Sequence, residues 1–180
     1  MIVAEAAAAP AESAAPWIKS WRADPYVKAI LDRHYNRQNP NSAQFVPPGA
    51  CLVLKTVGAA WVSSWPKAEW VKHAWAGAWM NTAFRNERQD LHLSSELIRA
   101  GVSATRWYWP DVPDLGMVSF VDADKTEAKD KPGWCYRKAG FKHVGFTQSG
   151  LWAFQMLPED MPVADAPAGV QHSMFEEAMA

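Results

Sequence analysis

A strand, a polar loop and an amphipathic helix between residues 78 and 99 constrain the fold of this chain most strongly. The segment AWMNTAFR, residues 78 to 85, has the apolar character of a strand, and the following charged residues lead into a helical spacing of Leu93, Leu97 and Ile98. A strand that feeds a helix through a loop presents the helix N–H groups at the carboxyl end of the strand. The segment therefore predicts a sheet flanked by helices, with a binding position at this loop.

The predicted helix start is a candidate site for an anion. Ser94 and Ser95 supply hydroxyls for capping, and acidic Glu96 suits the positive end of the helix dipole. Arg85 and Asn86 precede this start, so a guanidinium and exposed N–H groups are expected to meet at a phosphate or pyrophosphate. The alternative is an ordinary capped surface helix.

The other segments alternate between helices and strands. A helix is predicted from Asp24 to about Tyr35, an antiparallel hairpin over residues 51 to 65, a strand over GMVSFVDADK, a short helix stopped by Gly140, and two strands on either side of Gly150. This order predicts an α/β (α+β) domain at residues 17–157. Residues 1–16 are expected to form a flexible Ala/Pro-rich tail, and residues 158–180 a C-terminal tail with a marginal helix at its end.

Composition restricts the class of protein. The net charge is -1 and 49% of the residues are hydrophobic, which is the balance of a globular protein without an overall basic field. Cys51 and Cys135 lack metal-ligand spacing, and the acidic N-terminus resembles no signal peptide or membrane span. A cytoplasmic protein that does not enter a membrane is expected. The 11 Trp residues predict either a surface groove or an unusually aromatic core.

Several short motifs together resemble a known enzyme family. They are HYNR at 34–37, QFVPPG at 44–49, FRNE at 84–87, LSSELI at 93–98, FVD at 120–122 and GWCYRKAGF at 133–141. Their order resembles the GNAT acyltransferase superfamily, and within it a branch common in phage genomes that is similar to Mom, which modifies the exocyclic amine of adenine in DNA. The resemblance implies a single GNAT domain with a twisted, mixed, mostly antiparallel sheet, splayed where the cofactor enters.

The resemblance also implies roles for individual residues. Acetyl-CoA or another acyl-CoA is the expected cofactor, bound by Arg85 and Asn86 with Ser94 and Ser95. The expected catalytic residues are His34, Tyr35, Asp122 and Tyr136. Iron is a further candidate, with His34 and Asp122 as candidate ligands.

The residue types give these roles a chemical basis and leave alternatives open. Tyr136 is expected to protonate the departing thiolate, its alternative being a half-buried helix aromatic. Asp122 is expected to orient or deprotonate an amine, or else to close a turn after its strand. His34 is a candidate base, substrate contact or metal ligand, its alternative being a structural histidine.

The expected partners are a coenzyme A thioester and DNA. A base that leaves the duplex needs a stacking surface, for which Trp65, Trp107 and Trp109 are the candidates. Candidates for phosphate contacts are Lys67, Lys72, Arg88, Arg99 and Arg106. Two alternatives remain: an acetyl-CoA-dependent N-acetyltransferase for a small amine or a protein, and a GNAT-shaped binding protein without catalysis.

Overall fold

The computed structural model describes residues 16–126 and 130–169. Within these residues, seven strands form one open sheet in the order β1-β2-β3-β4-β5-β7-β6. The strands are β1 (Ile18–Lys19), β2 (Ala50–Thr56), β3 (Ala59–Trp65), β4 (Trp79–Asn86), β5 (Met117–Val121), β6 (Lys142–Phe146) and β7 (Trp152–Met156). The helices are α1 (Pro25–Leu31), α2 (Ser94–Tyr108) and α3 (Trp134–Ala139), with short 3-10 helices at Ala68–Trp70 and Pro158–Asp160.

The sheet is mixed and mostly antiparallel. β4 and β5 are parallel and are joined through α2, whereas the other neighbouring strands run antiparallel. The predicted hairpin is β2 and β3, which turn at Gly58, a residue with the positive φ of 68° that glycine adopts readily. The prediction of an α+β domain with a mixed, mostly antiparallel sheet is confirmed. No described helix is long and apolar enough to cross a bilayer.

The helices cover both faces of the sheet. α2 and α3 pack over the larger core, in which Trp17, Trp61 and Trp79 are fully buried. α1 packs over the opposite face, where its apolar side chains meet Val53, Val62 and other β2 and β3 residues. The sheet is therefore a middle layer, and residues that alternate along a strand face α1 or face α2 and α3.

The central strands diverge near their middle. β4 and β5 pair through Trp79–Met117, Met80–Val118 and Asn81–Ser119, and their pairing ends there. In the neighbouring pair, Val62 lies opposite Ala83 but Ser63 lies opposite Asn81, so Thr82 is an extra residue in β4. Such a bulge bends its strand and shifts the alternation of side chains by one residue. The opening between β4 and β5 begins at this bulge.

Several boundaries differ from the sequence predictions. α1 ends at Leu31, so His34 and Tyr35 lie in the turns beyond the helix. Residues 158–169 pack on the domain instead of forming a tail: Met161 is buried and the Ala168 N–H donates to the Trp17 carbonyl at 2.7 Å. Of the predicted N-terminal tail, residues 1–15 lie outside the described residues, as do residues 170–180 with their expected terminal helix.

Candidate active site

The Tyr136 hydroxyl lies where β4 and β5 diverge. Tyr136 on α3 is buried, and its hydroxyl donates to Asn81 Oδ1 at 2.5 Å, while the Ser119 hydroxyl approaches the same oxygen at 3.4 Å. Gly133 lets α3 approach the sheet closely, since a Cβ there would lie 2.3 Å from the Phe154 ring. Burial raises the pKa of Tyr136 well above its ordinary value. The hydroxyl therefore keeps its proton at neutral pH.

Tyr35 reaches the same opening from the loop after α1. Burial is the largest cause that raises the pKa of Tyr35; a hydrogen bond with the Asp122 backbone lowers this pKa, and the neighbouring Asp122 carboxylate and Cys135 thiol raise it. Tyr35 is also close enough to Tyr136 to contribute to the raised pKa of Tyr136. Because Tyr35 precedes β2 and Tyr136 lies on α3, the opening brings together side chains from opposite layers of the fold.

Asp122 closes a turn after β5 and also lies next to Tyr35, a candidate catalytic residue. Its Oδ1 accepts the Asp124 N–H at 3.1 Å, and its Oδ2 lies 3.4 Å from Lys125 Nζ. The turn expected as the alternative role of Asp122 is therefore present. The Asp122 backbone and carboxylate also border the Tyr35 hydroxyl. Asp122 is thus positioned to orient Tyr35 while it closes the end of β5.

His34 stacks on Tyr35 and lies beside the second half of β4. The two ring centroids are 4.4 Å apart with the planes inclined by 30°. The His34 ring contacts the Asn36 side chain, whose amide donates to the Thr82 carbonyl of the bulge at 3.2 Å. Burial is the largest cause that lowers the pKa of His34, and the Arg85 guanidinium lowers it further. A neutral imidazole at pH 7 can accept a proton.

Arg85 lies on the α1 face, away from the start of α2. It pairs across the sheet with Ala60, which belongs to the core cluster under α1. Its Nε donates to Glu87 Oε1 at 2.7 Å, and Glu87 also binds Arg33 through two hydrogen bonds of 2.7 Å. The structure therefore places Arg85 near His34 and does not bring it to Ser94.

Glu87 gives this ion-pair network a pH dependence. Hydrogen bonds from Arg33 and then Arg85 lower the pKa of Glu87 from 4.5 to about 2. The folded-state pKa is the lower one, so the stabilisation is complete above about pH 4.5 and is lost as the pH falls from there towards 2.

We expect Glu87→Gln to lower the free energy of unfolding at pH 7 by about 1 kcal/mol or less, because the network is partly exposed to solvent. Urea denaturation at pH 7 and pH 3 measures this loss, which should be smaller at pH 3. Glu69→Gln, at an exposed position in a 3-10 helix, is the matched control. An equal loss for Glu87→Gln at both pH values would contradict the assignment.

Ser94 and Ser95 begin α2, and Asn86 at the end of β4 binds the start of this helix. The Asn86 amide donates to the His92 carbonyl at 2.9 Å and to Ser94 Oγ at 3.3 Å, which closes the loop onto the helix. The predicted capping by a serine hydroxyl is wrong, because the N-cap is Leu93 and no side chain caps the helix among the described residues. Ser94 and Ser95 occupy the first turn instead, so its backbone N–H groups have no side-chain partner there.

A cavity of about 340 Å³ lies beside the bulge on the α1 side. Asn36, Thr82 and Ala83 border it at the sheet, and Phe45 contributes an aromatic ring. Its remaining lining is rich in polar side chains, namely Arg37, Gln38, Asn39, Ser42 and Gln44. The cavity is within the size range of small-molecule sites, and Asn36, which borders it, follows Tyr35 in the sequence.

The predicted stacking surface lies elsewhere. Trp65 packs edge-on against Trp79 and Trp109, with ring centroids 5.9 and 5.8 Å apart, and it donates to the Gly77 carbonyl. These rings extend the main core at the start of β4, and Trp107 is half-buried on α2. Among the described residues, none of the three has an aromatic contact with Tyr35 or Tyr136.

Three of the five predicted phosphate contacts are engaged within the protein. Arg88 pairs with Asp90, Arg99 donates to the Ala139 carbonyl, and Arg106 donates to the Pro162 carbonyl. Lys67 and Lys72 are exposed on the segment between β3 and β4. On the same segment, His73 and Trp75 pack against Phe120 of β5, with centroids 4.9 and 5.7 Å from its ring.

The candidate metal ligands do not form a metal site. No group of three or more His, Cys, Asp or Glu side chains in the described part of the chain is arranged to hold an ion. His34 is engaged with Asn36, and Asp122 with its own turn. These residues do not fit a bound iron.

Residues that the motifs do not single out complete the site. Asn81 accepts a hydrogen bond from the Tyr136 hydroxyl, the Ser119 hydroxyl approaches the same Asn81 oxygen, and half-buried Cys135 borders Tyr35. Burial raises the pKa of the Cys135 thiol, so the thiol stays protonated at neutral pH. The sequence gives one signal for this group, since Asn81 is an amide within an otherwise apolar strand segment.

Comparisons with family models, with curated proteins and with solved structures find no match to this chain.

Proposed function

We propose that the chain is a GNAT-like acyltransferase that modifies a nucleobase in DNA, in the manner of Mom-like modification of the adenine exocyclic amine. One observation carries the proposal. Tyr35, Asp122 and Tyr136 are remote in sequence, yet Tyr35 lies close enough to each of the other two for their charges to interact, beside the point where the pairing of β4 and β5 ends. Two of the four tyrosines and a carboxylate lie near one another at a gap in the sheet, as the residues of a shared site do.

The strand arrangement supports the GNAT component of the proposal. The resemblance implies a mixed sheet splayed where the cofactor enters, and the parallel strands β4 and β5 part after Asn81 and Ser119. The bulge at Thr82 lies beside this opening, and bulges of this kind are frequent next to active sites.

An acyl-CoA is the proposed cofactor, and when bound it supplies the acyl group. Asn86, Ser94 and Ser95 would hold its phosphates, because the first turn of α2 offers backbone N–H groups without a side-chain cap. Arg85 lies on the α1 face beside His34, so it would act near His34 and would not hold the phosphates at the start of α2.

The proposed proton transfers use groups with suitable protonation states. His34 is the proposed base because its lowered pKa keeps the imidazole neutral at pH 7, and a neutral imidazole can take the proton that an attacking amine loses. Tyr136 is the proposed acid because its raised pKa keeps a proton available for a departing thiolate. Asp122 and Tyr35 would position the amine between them.

The cavity beside the bulge is the proposed acceptor site. Amide side chains match the donor and acceptor pattern at the N6 and N7 edge of adenine, and Asn36, Gln38 and Gln44 provide three of them. Phe45 offers a ring for stacking. The cavity size also favours a second candidate, an acetyl-CoA-dependent N-acetyltransferase for a small amine.

Nucleoside mass spectrometry of DNA from cells that express the protein tests the proposal. The expected result is a modified nucleoside that is absent from cells expressing Asp122→Ala or Arg85→Ala. Asp114→Ala, an exposed aspartate on the connection before β5, is the matched control and should leave the modification unchanged.

The outcomes separate the alternatives. Unmodified DNA together with acetyl transfer to a small amine or a protein would move the assignment to the second candidate. The absence of both turnover and coenzyme A binding by calorimetry would indicate a GNAT-shaped binding protein, and the proposed catalysis would be wrong.

A further inference from the structure

An exposed tryptophan on α3 is flanked by two lysines. Trp134 is 49% exposed, although Trp is a large apolar side chain that folding usually covers. The Nζ of Lys131 lies 5.2 Å from its ring centroid, and the Nζ of Lys138 lies 4.8 Å away. We call these three residues the lysine–tryptophan surface.

The charges of this surface are available to a partner. Within the described residues, neither Lys131 nor Lys138 forms an ion pair with a carboxylate, whereas Lys28, Lys55 and others do. Arg137, between them on α3, is exposed and lies over the Phe154 ring, 5.5 Å from its centroid. Ammonium groups next to an aromatic ring, with no ion pair to a carboxylate in the described part of the chain, form a cationic surface with a flat apolar centre.

We propose that the lysine–tryptophan surface binds a single-stranded nucleic-acid segment. One base stacks on Trp134, and the flanking phosphates are bound by Lys131 and Lys138. The exposed lysine side chains are flexible enough to exchange the ring for a phosphate. This combination of stacking and backbone charge is the one that single-strand binding proteins use.

The surface fits this partner better than other anionic partners. An acidic peptide would satisfy the lysines but leave the ring without a planar group to stack on. Insertion into a lipid layer would bury Lys131, Arg137 and Lys138 together with Trp134, at a high cost in desolvation. A nucleic-acid strand satisfies both the ring and the charges.

The position of the surface connects it to the candidate active site. Trp134 is exposed on α3, whereas Tyr136, two residues later, is buried at the opening between β4 and β5. This inference rests on the proposed function in taking DNA as the substrate. A strand held on α3 would keep the DNA next to the helix that carries Tyr136.

Fluorescence anisotropy of a fluorescein-labelled thymidine oligonucleotide, about 10 nucleotides long, measures binding to the full chain. We expect Trp134→Ala to weaken binding about tenfold, as loss of one stacked base does. Lys131→Ala/Lys138→Ala should make the slope of log K against log salt shallower by about 1.4, because two phosphate contacts disappear.

Trp70→Ala is the matched control. Trp70 is 73% exposed and has a single lysine, Lys67, whose Nζ lies 5.0 Å from its ring centroid. Binding by Trp70→Ala should stay within about twofold of the unaltered chain. Equal weakening by Trp70→Ala and Trp134→Ala, or unchanged binding by Trp134→Ala, would overturn the proposal. Competition by polyglutamate as effective as that by unlabelled oligonucleotide would also overturn it.

The binding experiment and the nucleoside analysis together distinguish this inference from the proposed function. Trp134-dependent binding without any modified nucleoside in DNA would retain the surface and reject DNA modification. A modified nucleoside, with oligonucleotide binding unaffected by Trp134→Ala, would retain the modification and reject the surface.

Discussion

Tyr136→Phe is expected to reduce DNA modification by at least about a hundredfold while leaving the protein folded. The substitution removes the proposed proton donor, and general acid catalysis typically contributes factors of this size or larger. The ring keeps its contacts with Phe141 and Phe154, and Asn81 Oδ1 keeps the longer contact from the Ser119 hydroxyl. We expect the free energy of unfolding to fall by only about 1 kcal/mol.

Tyr108→Phe is the control for this prediction. Tyr108 lies at the end of α2, and its hydroxyl has no hydrogen-bond partner among the described residues. Removal of the Tyr108 hydroxyl should change neither the amount of modified nucleoside nor the free energy of unfolding. Quantification of the modified nucleoside measures the modification, and urea denaturation of each variant measures the stability. Full modification by Tyr136→Phe would show that the Tyr136 hydroxyl is structural.

Gly101→Ala is expected to destabilise the fold by about 2 kcal/mol, because overpacking a core typically costs about 1–3 kcal/mol. Gly101 lies within α2, where Ala is intrinsically more favourable than Gly by about 1 kcal/mol. The steric effect outweighs this preference, because a Cβ at Gly101 would lie 2.6 Å from Trp61 Cδ2 and 2.8 Å from Cε2. Trp61 is fully buried and cannot move aside. The melting temperature should fall by roughly 4–8 °C for a domain of this size.

Trp61→Phe tests the cause of this loss. The smaller ring leaves room for a methyl group, so Gly101→Ala should cost less in a Trp61→Phe background than in the unaltered chain. Urea denaturation of the two single variants and the double variant measures the coupling free energy between positions 61 and 101. Stabilisation by Gly101→Ala alone would mean that α2 does not approach β3 as closely as described.

Local patterns predict most of the elements. Asp24 accepts the Tyr26 N–H at the start of α1, and Pro25 occupies the first helical position, as the sequence indicates. The end of α3 at Gly140 is likewise predicted, and Gly140 has a φ of 106° that suits glycine. These features depend on neighbouring residues, which is why they can be recognised without the fold.

The position of Arg85 depends on a feature that the sequence does not reveal. Simple alternation from Trp79 would place Arg85 on the same face as Trp79, with α2 and α3. The bulge at Thr82 shifts the alternation by one residue, so Arg85 faces α1 and Asn86 faces α2. The predicted anion site is consequently divided between the two layers.

Long-range pairing accounts for the remainder of the site. Asn81 meets Tyr136 only because β4 and β5 are adjacent and α3 packs across them. No local spacing encodes that contact, and the abundance of Trp does not identify which rings are exposed. Trp65 and Trp109 belong to the core, whereas Trp134 and Trp70 are exposed.

Intact-mass measurement of two oligonucleotides tests the central proposal most directly. One contains a single adenine, and the other contains purine, which lacks the exocyclic amine, at the same position. Each oligonucleotide is incubated with the purified protein, with acetyl-CoA and with a small-molecule filtrate of expressing cells. The filtrate supplies any acyl donor other than acetyl-CoA. We predict a mass increase of the adenine oligonucleotide alone, and its loss with Tyr136→Phe. An equal increase for the purine oligonucleotide, or no increase for either, would contradict transfer to the adenine amine.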